Sequence, residues 1–297
     1  MNATYSIKDL ELLSGIKAHT IRIWEQRYGL FNPERTDTNI RQYTDEDLKL
    51  LLNISILNSK GYKISKISKL DADQVSKETF KILNEHKSSD ERIDGLKHAM
   101  LTFNESLFVK IINDDSFTAG FERTVEKLIY PFLKLVGELW HTGAITPLHE
   151  HFASALIRQK LVVAIDLLPV PKGVSSEGFI LVCPEGEMHE IGLLYANYII
   201  RSRGVFTLYL GTNVPATDVL KVWETSGIEN ILINIVVNNN KLNDFVKTLY
   251  DQMSENDKMY LTGSQIDKLM IDNDLSNAQH LKSVKELIEE IEKRKLH

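Results

Sequence analysis

The spacing of hydrophobic residues divides this chain into a helical part and an alternating part. Up to residue 168, apolar side chains mostly recur at the three- and four-residue intervals of amphipathic helices. After residue 177, short apolar runs alternate with helical stretches, which is the pattern of strands and helices in a parallel sheet. The stretch between them, PVPKGVSSE at residues 169–177, is the clearest linker in the chain.

The first seventy residues predict a small winged helix-turn-helix. Two short helical patterns, residues 6–13 and 17–28, are joined by a Ser-Gly-Ile corner that lets two helices cross closely. A hairpin follows with Asn39 in its turn, since asparagine tolerates positive φ. Thr44 and Asp47 then form a capping box that starts the next helix.

Residues 90–168 predict a four-helix bundle. We expect a kink or a local break at Pro131 in the third helix, because proline cannot donate the backbone hydrogen bond that a helix interior requires. The fourth helix begins at Thr146-Pro147, an N-cap residue followed by proline at the first helical position.

The last part predicts a Rossmann-like sheet. Strands are expected at 178–183, 205–210, 229–236 and 258–261, with a weaker fifth near 276–281. Helices between them would cover both faces of a parallel sheet. The predicted fold class is therefore multidomain α and α/β: a winged helix-turn-helix domain at 1–72, a four-helix bundle at 90–168 and a Rossmann-like parallel α/β domain at 177–297.

Charge is distributed unevenly between these segments. The 297 residues carry a formal net charge of −6, but residues 1–70 carry eleven Lys and Arg against eight Asp and Glu, a net +3 that leaves −9 for the remainder. A basic N-terminal segment on an acidic body indicates DNA binding better than the total does. With one cysteine, no signal-peptide pattern and no apolar run of about twenty residues, we expect a cytoplasmic protein without a membrane span.

Candidate DNA-contacting residues lie on the second helix and the hairpin. Arginine can bind a guanine edge bidentately or contact phosphates. The alternative is a solvated basic surface on a small helical domain. The candidates are His19, Thr20, Arg22, Trp24, Arg27, Tyr28, Arg35 and Arg41.

The run TIRIWEQRYGLFNPERTDTNIRQYTDEDL resembles the winged-helix domain of the MerR family of transcription regulators. Its WE-x-RYG part is similar to the branch of that family that carries cobalamin-binding C-terminal domains. One departure is Asn39, where that wing usually has glycine. The resemblance implies a regulator that binds double-stranded promoter DNA and is not an enzyme.

A second candidate site follows the first strand of the predicted sheet. Glu187, His189 and Gly192 form an E-x-H-x-x-G pattern at the edge where such sheets bind ligands. One imidazole nitrogen of His189 could ligate a metal while Glu187 fixes the tautomer through the other. The alternative is an ordinary histidine in a surface loop.

Four further residues come together at one end of the predicted bundle. Trp140 and His141 end one helix, and Glu150 and His151 lie in the first turn of the next. The alternative is a core tryptophan beside surface residues, with an acidic residue favoured at a helix start. A zinc site is a further alternative, although tight Cys/His spacing is lacking.

A bundle with W-x9-E-H, followed by an α/β domain with E-x-H-x-x-G, resembles the light-sensing regulators of the CarH/LitR type. The resemblance implies that adenosylcobalamin is bound, with His189 as the lower axial ligand of cobalt and Glu187 as its partner. Trp140, Glu150 and His151 would contact the upper ligand, and His141 would take the upper cobalt position after light. It also implies a tetramer that represses its promoter in the dark and disperses in light.

The segments that would hold the nucleotide tail of cobalamin depart from the family. Asn234-Ile-Val236 stands where Ser-x-Leu is usual, and Thr262-Gly263 stands where Gly-Gly is usual. One alternative is therefore a regulator whose degenerate cobalamin domain responds to a protein partner. Another is a corrinoid carrier for methyl transfer, against which the DNA-binding segment argues.

Overall fold

The chain folds as two compact units, Met1–Leu156 and Ile157–His297. A computed structural model describes residues 5–36, 39–83, 89–141, 145–169, 171, 173–237, 242–264, 266, 275 and 278–294. The division falls within one continuous helix, α10 (Pro147–Asp166).

The first unit begins with the winged helix that the sequence predicts. Two of its helices start at capping boxes, Ser6 with Asp9 and Thr44 with Asp47, and Asn39 has a φ of 63° in the wing. The corner after the first helix uses Gly15 at a φ of 74°, whose N–H donates to the carbonyl of Glu11. The elements are α1 (Ile7–Ser14), α2 (Ala18–Tyr28), β1 (Glu34–Arg35), β2 (Arg41–Gln42), α3 (Asp45–Ser59), α4 (Ile64–Ile67) and α5 (Ala72–Leu83).

The helical bundle follows in the same unit. Phe108 lies edge-on to Phe132, at 5.6 Å between ring centroids, and to Phe152, at 6.1 Å, so three helices meet in one aromatic core. The helices are α6 (Ser89–Leu101), α7 (Glu105–Ala119), α8 (Phe121–Thr124), α9 (Tyr130–His141) and the first part of α10.

Where the sequence predicts a kink or a local break at Pro131, the structure has a π-helical turn at Val125–Ile129 before the proline. The N–H of Tyr130 donates to the carbonyl of Val125, five residues back. A proline ring clashes with the carbonyl four residues earlier, and one wide turn moves that carbonyl away. The helical path therefore continues into α9, which carries Trp140, without ending at the proline.

The second unit contains a five-stranded parallel sheet in the order β4-β3-β5-β6-β7. Alternate residues of the inner strands pack with α12 and α13, while α11 packs on β3, β4 and β5 and also contacts α14. The elements are β3 (Phe179–Pro184), α11 (Ile191–Ser202), β4 (Thr207–Val214), α12 (Ala216–Ser226), β5 (Asn230–Asn234), α13 (Leu242–Tyr250), β6 (Lys258–Thr262), β7 (Ala278–His280) and α14 (Val284–Arg294).

Two strands differ from the sequence prediction in ways that affect the site. Strand β4 continues to Val214 because a register shift beside β3 is accommodated at Gly211, which has a φ of 86°. Strand β5 ends at Asn234, two residues earlier than predicted. Because β3 pairs with both strands, the loop after β3 is flanked by the ends of β4 and β5.

Candidate functional site

The loop after β3 orients the imidazole of His189 through a buried carboxylate. Oε1 of Glu187 accepts hydrogen bonds from the backbone N–H of His189 at 2.8 Å and from its ring Nδ1 at 2.7 Å. The side chain of Glu187 is 1% exposed, whereas that of His189 is 55% exposed. A carboxylate can only accept here, so Nδ1 carries the proton and Nε2 keeps the lone pair that a metal requires.

The other oxygen of Glu187 binds the segment that follows β5. Oε2 accepts from the N–H groups of Val236 and Val237, both at 2.7 Å. Burial raises the pKa of Glu187, but the hydrogen bonds from Val237, His189 and Val236 outweigh it and leave the pKa below the ordinary value of 4.5. The carboxylate is therefore ionised at neutral pH and suited to orient a metal-binding imidazole.

Two asparagines hold the same loop from either side. On β4, Oδ1 of Asn213 accepts from the N–H of Gly186 at 2.8 Å. At the end of β5, Nδ2 of Asn234 donates to the carbonyl of His189 at 2.9 Å. Gly192 lies against Asn234, because a Cβ at that position would be 2.8 Å from the amide oxygen. Sequence reasoning missed Asn213, whose only signal is its place beyond the predicted end of β4.

The other two segments that would hold the nucleotide tail, after β5 and at the end of β6, pack closely against each other through their backbones. The N–H of Ile235 donates to the carbonyl of Thr262 at 2.8 Å. Gly263 has a φ of 120°, and a Cβ there would lie 1.9 Å from the carbonyl oxygen of Ile235. Glycine is therefore required by the approach of two loops. Thr262 itself is partly buried.

Other metal chemistry has no support in the described part of the chain. Burial raises the pKa of the Cys183 thiol to about 12, so the thiol stays protonated beneath the His189 loop. Among the residues that the structure describes, no group of three or more His, Cys, Asp and Glu side chains could hold a metal ion.

The bundle residues lie at one end of the first unit. Trp140 near the end of α9 is 45% exposed, unlike an ordinary core tryptophan. In the first turn of α10, Oε2 of Glu150 lies 3.0 Å from Nδ1 of His151, and Ser154 donates to Glu150. The side chain of His141 lies outside the described residues. Leu148, which is also exposed here, was missed by sequence reasoning.

The DNA-candidate residues divide into exposed and structural groups. Trp24 is 7% exposed and packs in the core of the winged helix, because it lies on the inner face of α2 with Ile21. Nε of Arg41 binds the carboxylate of Glu25 at 3.0 and 3.1 Å, and the Tyr43 hydroxyl donates to the same group at 3.2 Å. Thr20 and Tyr28 are partly buried, and the exposed members are His19, Arg22, Arg27 and Arg35.

Two exposed apolar residues that are not among the candidates lie beside these arginines. Ile23 on α2 is 50% exposed, and Ile40 in the wing is 60% exposed. Apolar side chains on such a surface can contact thymine methyl groups in the major groove. Arg35 is held in the wing by Asn39, whose Oδ1 accepts from its guanidinium at 2.7 Å.

Two family profiles match the chain, one within the first unit and one that runs across the boundary between the two units. Residues 5–74 match the profile described as MerR HTH family regulatory protein, and residues 92–164 match the one described as B12 binding domain. These matches define the class: a DNA-binding transcription regulator of the MerR type that carries a cobalamin-binding domain, and not an enzyme. The MerR match argues against the alternative interpretation as a methyl-carrier protein.

Two relatives identify the family within that class. The chain is 32% identical over 221 residues to the HTH-type transcriptional repressor CarH of Myxococcus xanthus, covering 72% of this chain and 73% of that protein. It is 26% identical over 219 residues to the repressor CarA of the same organism, covering 72% and 70%. The chain belongs to this family of MerR-type repressors with B12-binding domains.

The fold also occurs outside regulators. The monomethylamine corrinoid protein of Methanosarcina barkeri superposes with a TM-score of 0.55 at 16% identity, over 68% of this chain and 97% of that one. This likeness concerns the fold alone. No helix among the described residues is long and apolar enough to cross a membrane.

Proposed function

We propose that this regulator senses adenosylcobalamin and, through it, light, with His189 as the lower axial ligand of cobalt. The observation that carries the proposal is the pairing of a buried, ionised Glu187 with an exposed His189. The ring nitrogen that faces the carboxylate carries the proton, so the other nitrogen is available to a metal. The residues present therefore fit a corrinoid that brings its own cobalt.

We propose further that Trp140, Glu150 and His151 contact the upper ligand. An indole that is nearly half exposed supports this role, because it can pack against a flat adenosyl group. Glu150 and His151 offer a carboxylate and an imidazole beside it. Adenosylcobalamin supplies a cobalt–carbon bond that light cleaves. The role of His141 as a second imidazole after light rests on the family resemblance alone.

The proposal includes a homotetramer that binds operator DNA in the dark and disperses in light. In the second unit, α10 exposes the apolar residues Val162 and Val163, and the exposed Leu167 directly follows the helix. Such an apolar helix face supports association with a second copy, since exposed apolar surface is buried in oligomers. In the first unit, the exposed Arg22, Arg27 and Arg35 are proposed to contact DNA.

The test is the absorption spectrum of the full chain mixed with adenosylcobalamin in the dark, desalted and then illuminated, with size-exclusion chromatography before and after light. We expect retained cofactor with its own base displaced, a light-dependent spectral change and a smaller species after light. His189→Ala should lose the displaced-base spectrum, and His19→Ala, which removes an exposed imidazole of the winged helix and leaves the Glu187–His189 pair, is the matched control. One elution volume in both conditions, with cofactor bound, would refute the photoswitch but not the cobalamin site.

A second candidate is a regulator that has lost cobalamin and answers to a protein partner. The observation that favours it concerns Asn234, which stands where the family usually has the serine that meets the nucleotide tail. Its Nδ2 already donates to the carbonyl of His189, so this donor is not free for the tail. Thr262 adds bulk where the family usually has glycine. If neither the wild type nor Thr262→Gly retains any cobalamin after desalting, this second candidate replaces the first.

A further inference from the structure

We infer that Asn234 is a positioning residue, which fixes the backbone of His189 and so the direction of its imidazole, and does not contact the tail of the ligand. The inference deepens the proposed function and rests on it for the ligand-binding measurements below. It is carried by two contacts of one buried side chain at the end of β5, one with His189 and one with Gly192.

The first contact joins Asn234 to the proposed ligand residue. Asn234 is 2% exposed, and its Nδ2 donates to the carbonyl oxygen of His189 at 2.9 Å. The same nitrogen lies 3.8 Å from the sulfur of Cys183, a weak acceptor. The donor capacity of this amide is thus directed at the His189 loop and the strand beneath it.

The second contact explains Gly192. A Cβ at this position would lie 2.8 Å from Oδ1 of Asn234, closer than real side chains allow. The amide of Asn234 therefore occupies the space beside the second residue of α11. One side chain packs against both ends of the segment from His189 to Gly192, where the loop becomes a helix.

Together with Glu187, Asn234 leaves His189 little freedom. Glu187 binds the backbone N–H and the ring nitrogen Nδ1, and Asn234 binds the carbonyl. Both peptide groups that flank the Cα of His189 are held by buried side chains. An imidazole whose direction is fixed before the corrinoid binds gives tighter binding, because the protein loses less conformational entropy on binding.

The experiment compares two corrinoids in the full chain. Cobinamide lacks the nucleotide tail, so its cobalt can receive an imidazole only from the protein. Asn234→Ala should weaken both cobinamide and cobalamin by the same factor, about 2- to 10-fold, the effect of one net hydrogen bond. A loss confined to cobalamin would place Asn234 on the tail and overturn the inference, as would no loss with either.

The matched control is Asn230→Ala at the opposite end of the same strand. Asn230 is also fully buried, and its Nδ2 donates to the carbonyls of Gly178 at 2.9 Å and Ser176 at 3.2 Å. Asn230→Ala should lower the free energy of unfolding about as much as Asn234→Ala does, and it should leave both corrinoid affinities unchanged. If Asn230→Ala weakens both corrinoids as much as Asn234→Ala does, the effect is general destabilisation and the inference is wrong.

Gly192 provides a second variant. Gly192→Ala should push the amide of Asn234 away from His189 and weaken corrinoid binding, and adding Asn234→Ala should recover part of the loss. Additive losses would contradict the inference, because contacting residues that act through one another are coupled.

A measurement without corrinoid separates this inference from the proposed function. The imidazole signals of His189 can be followed by nitrogen-15 NMR and assigned by their disappearance in His189→Ala. Asn234→Ala should shift or broaden them, and Asn230→Ala should not. If the wild type binds no corrinoid, the proposed function fails, and these signals alone decide: unchanged signals in Asn234→Ala overturn the positioning role.

Discussion

The carboxylate of Glu187 accepts four hydrogen bonds, two from His189 and one each from the N–H groups of Val236 and Val237. Each oxygen faces two donors, so the group must be a carboxylate and must be ionised. It links the loop after β3 to the end of β5 and sets the histidine tautomer at the same time. Structure and proposed ligand binding therefore depend on the same side chain.

Glu187→Gln should destabilise the second unit and weaken corrinoid binding. The amide would direct N–H groups at backbone N–H donors and leave them unpaired, at a cost of about 1–3 kcal/mol. Denaturant unfolding measures the first effect and cobinamide titration the second. The exposed Glu224→Gln is the control and should change neither. A stable Glu187→Gln protein with unchanged affinity would exclude the orienting role.

The stabilisation by Glu187 should also depend on pH. Its pKa is lower in the folded protein than its ordinary value of 4.5, so below that value the unfolded chain binds more protons. The difference in unfolding free energy between wild type and Glu187→Gln should be constant above pH 4.5 and decrease as the pH falls further. If this difference in unfolding free energy instead increased as the pH fell, the lowered pKa of Glu187 in the folded protein would be contradicted.

The sequence reveals only part of this residue-level arrangement. Glu187 and His189 are two positions apart in one loop, so their pairing can be predicted from spacing. The donors Val236 and Val237 and the amides of Asn213 and Asn234 come from other strands. Their contacts depend on strand order and on where each strand ends, which hydrophobic periodicity does not specify.

At the scale of elements, one carboxylate joins the start of α11 to α10 and β4. Glu190, directly after His189, forms an ion pair with Arg158 of α10 and accepts from the hydroxyl of Tyr209 on β4 at 2.9 Å. Burial and then the bond to Glu190 raise the pKa of Tyr209, so it remains a donor. Glu190 therefore ties the residue that follows His189 to both α10 and β4.

Tyr209→Phe should destabilise the second unit by about 0.5–1.5 kcal/mol, because a partly buried hydrogen bond is lost. Arg158→Gln should cost less, since the arginine is more than half exposed and solvent screens the pair. Denaturant unfolding measures the loss of unfolding free energy in each of the two variants. Lys221→Gln removes the exposed pair with Asp218 and should have the smallest effect. The reverse order would mean that the ion pair dominates.

In the winged helix, the exposed Arg22 and the paired Arg41 should behave differently. Arg22→Ala should weaken DNA binding without loss of stability, whereas Arg41→Ala should destabilise the domain by leaving Glu25 without its cation. Fluorescence anisotropy with duplexes from the protein's own upstream region, at several salt concentrations, measures the first effect. A phosphate contact would reduce the salt slope by about one, and a base contact would reduce specificity.

Full DNA affinity of Arg22→Ala at every salt concentration would remove this residue from the interface. Thermal unfolding of Arg41→Ala checks the second part of the prediction. An Arg41→Ala protein as stable as wild type, with weakened binding, would instead place Arg41 on DNA.

Periodicity and caps were sufficient to predict most elements. The capping box at Thr44 and the positive φ of Asn39 follow from local chemistry and are confirmed. The π-helical turn before Pro131 was not predicted, because a proline clash can be relieved by bending or by widening the helix, and packing selects between them. The extension of β4 through Gly211 depends on its partner strand.

At the scale of the whole molecule, the winged helix and the bundle share one compact unit. Nε2 of the buried His98 on α6 lies 2.7 Å from Oδ1 of Asn53 on α3, and Lys60 forms an ion pair with Glu91. Such contacts join residues far apart in the sequence, so no local pattern predicts them. The His98–Asn53 contact is buried, and it joins α3 of the winged helix to α6 of the bundle.

That contact should make the first unit sensitive to acid. Burial, and then the charge of Lys97, lowers the pKa of His98 from 6.5 to about 4. Between these values the unfolded chain binds more protons, so stability should fall as the pH is lowered from 6.5 to about 4. Nδ1 has no hydrogen-bond partner among the described residues, so a second ring proton would be unpaired.

His98→Gln keeps a donor toward Asn53 and cannot titrate in this range. Denaturant unfolding at several pH values should show a shallower pH dependence than wild type, by up to about 1.4 kcal/mol per pH unit. The exposed His19→Gln is the control and should keep the wild-type slope. A slope in His98→Gln equal to that of wild type would show that His98 does not couple folding of this unit to pH.

The central claim, that His189 binds cobalt, is tested most directly by electron paramagnetic resonance of the cobalt(II) form of the bound cofactor. The nitrogen that ligates cobalt from below splits the signal, into triplets for nitrogen-14 and doublets for nitrogen-15. With protein labelled by nitrogen-15 histidine and unlabelled cobalamin, we predict doublets, which His189→Ala should abolish. Triplets in the labelled wild type would show that the cofactor keeps its own base on cobalt and would contradict the account.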